Sequence, residues 1–168
     1  METKTPRGIR NNNPLNIRFN SGNTWLGKVY EDEKKDKEFE EFQAMKYGYR
    51  AAAFLIHRYI EGGKDTVEAI INKWAPPSEN QTGKYIYNVC RRSGLGRDTH
   101  IELSNAGQFL RLLDGMAFVE NGRTPQKKEL VRGYLLALAH FNTIVPQHFF
   151  DCLDYLECSG TIKFTNDK

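Results

Sequence analysis

Glycines and prolines cut this chain into helix-sized pieces, and that punctuation constrains its fold more than any other feature. Apolar residues recur at helical spacing between the stops. In "EFEEFQAMKYGYRAAAFLIHRYI" the residues Ala51, Phe54, Leu55, Arg58 and Tyr59 share a face, and Gly62-Gly63 ends the run. This segment predicts one long helix, or a short one followed by a long one. "TVEAIINKW" aligns Val67, Ile70, Ile71 and Trp74, with Asp65 as a candidate cap and Pro76-Pro77 as the stop. Ser78 and Gln81 have capping-box spacing before "ENQTGKYIYNVCRRSG", which Gly94 closes. Ser104 can cap "NAGQFLRLLDGMAFVENG", where Phe109, Leu112, Leu113, Met116 and Val119 form a stripe that runs to Gly122. Pro125 and Pro146 open two further helical segments. The expected fold class is therefore mainly α.

The first part of the chain has a different character. Residues 1–6 read as a disordered start. In "RGIRNNNPLNIR", three consecutive asparagines, Pro14 and Asn16 make a poor helix and a poor strand, because Asn side chains compete for local backbone and Pro14 lacks a donor. Such a stretch suggests a surface kept for its amides. The pieces "NIRF" and "TWLGKVY" suggest a small β hairpin around 16–29, and the run from Glu31 to Glu41 suggests a solvated face.

Composition narrows the possible functions. The 168 residues suit one domain, and 24 Lys and Arg against 21 Asp and Glu give a net charge of +3, too balanced for a dedicated nucleic-acid binder. Arg7, Arg10, Arg18, Arg91, Arg92 and Arg97 offer basic character, which the acidic run offsets. Cys90, Cys152 and Cys158 are an odd number without metal-ligand spacing and are expected as reduced thiols; Cys90 reads as a buried helical thiol. The N-terminus has no apolar signal region, and no run approaches the roughly 18 apolar residues of a membrane span. The chain is expected to be made in the cytoplasm, without membrane insertion. His57, His100, His140 and His148 share no ligand spacing, and no cofactor or metal is expected. Phosphate-loop, zinc-protease and nucleophile-elbow motifs are missing.

What remains is carboxylates, amides and aromatic rings, the groups of carbohydrate chemistry. Glu120 closes an apolar helix, where burial and the negative helix end both favour the protonated form. Glu79 follows two prolines and is expected in the first turn of a helix. On generic grounds a solvent-facing surface acid is the favoured reading of Glu120, while for Glu79 a helix-start carboxylate that fixes the loop stands equal to a catalytic role.

The motifs "RGIRNNNPLNIR", "YGYRA", "WAPPSENQT", "VCR" and "VENG", in this order, resemble a family of lysozyme-like proteins of bacteriophages and integrated phage elements. Proteins of this kind are often labelled structural or virion-associated lytic proteins. The resemblance covers residues 7 to about 123 and departs at Leu15, where the family usually has glycine. It implies a lysozyme-like catalytic domain over 7–123 with a small N-terminal β lobe, and a helical extension over 124–168 packed on it. "MAFVENGRTP", the asparagine ribbon and "SENQTGKYIYNV" are also similar to segments of soluble lytic transglycosylases and goose-type lysozymes. Here they run in a circularly permuted order.

That likeness implies a peptidoglycan glycosidase, either a muramidase or a lytic transglycosylase. Glu120 would be the general acid/base, with Glu79 orienting groups or sharing the catalysis. Asn11, Asn13, Asn16 and Tyr85 would contact substrate. In a hydrolase, Asp36 or Glu79 would be the second carboxylate, about 5 to 9.5 Å from the first. The expected partners are glycan strands and the virion or secretion apparatus that delivers the protein, which would reach the wall by that route or after lysis. The alternative is a non-catalytic wall-binding or virion structural module.

Overall fold

The computed structural model describes residues 4–163, and the expected disorder of 1–6 lies partly outside them. Among the described residues the fold is mainly helical: α1 (Arg7–Arg10), α2 (Met45–Glu61), α3 (Val67–Trp74), α4 (Thr82–Ser93), α5 (Ala106–Asn121), α6 (Lys127–His140) and α7 (Pro146–Cys158). α5 is the axis. Phe109, Leu110, Leu112, Leu113, Met116 and Ala117 on it are all fully buried, and a helix apolar on most of its circumference must be enclosed by others. It packs against α4, α6 and α7, and its end meets α1.

α2 and α6 form the closest pair. A side chain at Gly133 would lie 2.5 Å from Tyr49 Cβ and 2.6 Å from the Lys46 carbonyl, so this crossing needs a glycine. The Tyr49 hydroxyl donates to Pro125 O at 2.5 Å and that of Tyr134 to Leu103 O at 2.6 Å, so both buried rings have satisfied polar ends. Residues 124–163 thus supply Leu130, Tyr134, Leu138, Cys152 and Leu156 to the same core that holds α2 and α5.

The stops act where expected, and Pro146 opens α7 as expected, but several other starts shift. Gly94 and Gly122 end α4 and α5 in the left-handed region, at φ 70° and 71°. α2 is a single helix that begins at Met45, well after Phe39. Thr66, not Asp65, caps α3 by accepting from Ala69 N at 3.2 Å, while Asp65 pairs with His100 at 2.8 Å. Asn105, not Ser104, caps α5. The Ser78–Gln81 capping box does not form: α4 begins at Thr82, and Glu79 sits in a turn before it. Thr66 caps from an extended backbone, and Asn105 reaches back to accept from Gln108 N at 3.2 Å.

The N-terminal lobe also corrects an expectation. Arg18 pairs with Phe39 and Lys28 with Phe42 as isolated antiparallel bridges, so both arms of the expected 16–29 hairpin pair with 38–43 and not with each other. Asn13 explains the arrangement. Wholly buried, it donates to Ile17 O and Glu40 O and accepts from Ile17 N, each at 2.9 Å. Glu40, taken from a run read as a solvated face, is also wholly buried and pairs with Lys28 at 3.3 Å.

Asn13→Ala would strand the Glu40 carbonyl and the Ile17 N–H in the interior, while Ile17 O keeps its bond from Glu40 N. The expected cost is about 3 kcal/mol, from roughly 1–3 for each buried group left unpaired. A urea denaturation series on wild type and variant measures it.

Candidate active site

A groove of about 610 Å³ runs between the N-terminal lobe and the helices. Asn16, Ile17, Arg18 and Phe39 line it from the lobe, and Leu55 and Tyr59 from α2. Trp74 and Ala75 at the end of α3, the turn residues Glu79 and Asn80, Glu120 on α5, and Arg7 and Leu15 complete it. Pro76 and Pro77 reverse the chain between two of these lining segments.

Glu120 occupies the last turn of α5. Its Oε2 accepts from Asn16 Nδ2 at 2.7 Å and its Oε1 from the Tyr85 hydroxyl at 3.0 Å. Burial pushes its carboxyl pKa up, and these two donors only partly oppose that rise. Burial and the adjacent Glu120 likewise hold the Tyr85 phenol well above its ordinary value, so the hydroxyl keeps its proton and serves as a donor.

The next residue fixes the partner loop. Asn121 donates to Pro14 O at 2.7 Å and to Ala117 O at 2.8 Å. Glu120 and Asn121 therefore grip Asn16 and Pro14, with buried Leu15 between them. Asn16 takes a left-handed φ of 51°, which asparagine tolerates better than most residues. Gly8 allows the close approach, since a Cβ there would lie 2.5 Å from Asn121 Oδ1 and 3.2 Å from Asn16 Oδ1.

The other candidates divide. Glu79 is exposed on the same groove, 3.9 Å from Arg18. Its expected place in a helical first turn is corrected by its position in the preceding turn. Asn11 and Asn13 do not face the groove: Asn13 is consumed by the lobe, and buried Asn11 donates to Asp36 at 2.9 Å. Asp36 does not line the groove either. Burial would raise its pKa, but Asn11, the N–H groups of Glu38 and Phe39, and Arg7 hold it below its ordinary value. It is an ionised staple of the lobe. Burial raises the Cys90 thiol, in keeping with an unreactive helical cysteine.

Tyr59, Trp74 and Phe39 were not expected in a site. Aromatics at helical spacing read as core, and only the tertiary fold shows that these rings border an opening. Arg18 was visible only as a surface charge.

Comparison with known proteins adds a relationship. The chain is 36% identical over 132 residues to protein P5 of Pseudoalteromonas phage PM2, spanning 76% of this chain and 79% of that protein. The chain belongs to the protein P5 family. The expected phage relationship holds, while the relative's name specifies no activity. No family model matches this sequence. Within the described residues of this P5 relative, no helix is long and apolar enough to cross a membrane.

The two donors lower the Glu120 pKa from what burial alone would impose, so Tyr85→Phe is expected to raise it further. A carbon-detected NMR titration of the glutamate carboxyls reads the shift. Stability should follow the same sign. A carboxyl raised in the folded state contributes fully below its unfolded value, near 4.5, and that contribution is lost as pH rises through the folded value. Over that window wild type should lose stability relative to Glu120→Gln, as thermal melts at stepped pH would record.

Proposed function

We propose that this protein is a peptidoglycan glycosidase that cuts between N-acetylmuramic acid and N-acetylglucosamine, with Glu120 as general acid/base. The observation that carries this reading is a carboxyl whose pKa is raised by burial, gripped by two side-chain donors, on the wall of an open groove. Such a group is protonated when the glycosidic oxygen needs a proton. It becomes a base after giving that proton up.

The groove supplies what a glycan needs. Trp74 and Tyr59 offer ring faces to the apolar faces of sugars, and Asn80 offers amide hydrogen bonds to hydroxyl and N-acetyl groups. Asn16 and Tyr85 hold the carboxylate in a fixed orientation, so little reorganisation accompanies proton transfer. With Asp36 outside the groove, Glu79 is the remaining second carboxylate, and it is exposed and paired with Arg18. That favours the route needing one acid. Glu120 protonates the leaving oxygen, then accepts a proton as the sugar's own hydroxyl closes an anhydro ring.

Digestion of purified peptidoglycan followed by mass spectrometry tests the reading. Fragments ending in anhydro-muramic acid are expected. Glu120→Gln should lower the rate by about 10² or more, the usual scale of general acid/base catalysis, with folding intact. Glu79→Gln should lose less. A wild-type protein that releases nothing from any wall would point to a binding module.

A further inference from the structure

A second cavity, of about 380 Å³, lies where α4, α5 and α7 meet the start of α6. Arg92, Arg111 and Lys127 line it, with Asp114 the one carboxylate among its lining residues. Three cations against one anion leave this small space with a formal excess of two positive charges.

The acid is already saturated. Asp114 Oδ1 accepts from Arg92 Nε at 3.2 Å and from the Thr124 hydroxyl at 2.5 Å, and Oδ2 accepts from the Tyr155 hydroxyl at 2.7 Å. Lys127 approaches no nearer than 3.9 Å. Arg92 lays its guanidinium over Phe118 at 4.4 Å and commits only Nε to a hydrogen bond. Arg111 gives Nε to Gly107 O at 3.1 Å and Nη1 to Ser93 O at 3.3 Å. Asp151 and Asp154 border the adjoining hollow, yet Arg111 is within ion-pair distance of neither among the described residues. Among the described residues the outer nitrogens of Arg92, and Arg111 Nη2, thus have no protein acceptor at the cavity, and Lys127 meets only Asp114, at 3.9 Å and without a hydrogen bond.

Lys127 is also placed against the usual preference. It opens α6, followed by Lys128, and the positive end of a helix disfavours cations. Gln126 supplies no side-chain cap there. A local arrangement that costs stability and satisfies no protein acceptor is a mark of ligand binding.

We propose that this cavity binds a phosphate group, with Arg111 and Lys127 as its main ligands and Arg92 at its inner wall. Paired guanidinium edges and an ammonium match the oxygens of a phosphoryl group. The site shares no lining residue with the Glu120 groove.

The test is an NMR titration of the whole protein with sodium phosphate, against sodium chloride at matched ionic strength. It would follow the Nε–H signals of Arg92 and Arg111 and the Lys127 amide. Saturable shifts are expected with phosphate alone, together with a melting temperature that climbs with phosphate concentration. Arg111→Gln and Lys127→Gln should each weaken binding about tenfold. Both leave the three hydrogen bonds of Asp114 intact, so the fold is preserved. Shifts that never saturate, or variants that bind phosphate as wild type does, would overturn the proposal. Cosedimentation with phosphatidylglycerol vesicles, lost in the same variants, would identify the source as a lipid headgroup. Saturable phosphate binding without cosedimentation would identify it as a soluble phosphate.

Discussion

The Asn13 side chain is the constraint from which the rest of the site follows. A polar ribbon with almost no regular structure has few backbone partners, and its buried carbonyls and N–H groups must be satisfied by something. Asn13 uses three hydrogen-bonding sites to do this, joining Ile17 to Glu40 across the lobe. That junction sets the pairing of 17–19 with 38–40 and fixes the turn in which Asn16 presents its amide. Asn121 then ties the same turn to α5 through Pro14. One buried amide shapes the loop, and another docks it.

The docking sets the surroundings of the Glu120 carboxyl. Desolvation at the end of a buried helix raises its pKa, and nothing would oppose that rise if no donor faced it. Two neutral donors moderate the shift without cancelling it. Neutrality matters here. An arginine or lysine at the position of Asn16 or Tyr85 would hold the carboxyl ionised, as Arg7 and the lobe's donors hold Asp36. The two guanidinium groups that line the groove are engaged elsewhere, Arg18 with Glu79 and 5.4 Å from the Phe39 ring, Arg7 with Asp36 at 3.3 Å.

The helical layout was legible because glycine stops rest on a local backbone fact: Gly94 and Gly122 take the left-handed conformation that their sequence positions suggest. Caps were legible only to within a residue, because Asp65 and Thr66, or Ser104 and Asn105, are both capping types until the tertiary fold decides which one turns its side chain back onto the helix. The lobe was the least legible part. Pairing of 16–29 with 38–43 depends on the buried amide of Asn13, and no periodicity announces a side chain that substitutes for a strand. The asparagine ribbon was read as surface, whereas two of its members are interior and Asn16 alone meets the groove. Glu120 could be singled out by its place at the end of an apolar helix, but its partners Asn16 and Tyr85 are 104 and 35 residues away in the chain. Only the similarity to soluble lytic transglycosylases and goose-type lysozymes brought the segments of those three residues together beforehand.

Glu79 and Glu120 show how little residue type says about role. Both carboxylates border one groove, and each lies beside a polar loop. Glu79 stands in a turn, exposed, with the Arg18 guanidinium at 3.9 Å. Glu120 has the interior of α5 behind it and accepts from two neutral donors. Burial, rather than any feature of the side chain itself, raises the Glu120 pKa. That burial requires α4, α5 and the lobe loop to meet at one point. Gly8, Pro14, Leu15 and Asn121 are spent on the meeting itself: they hold the Asn16 amide against the Glu120 carboxyl.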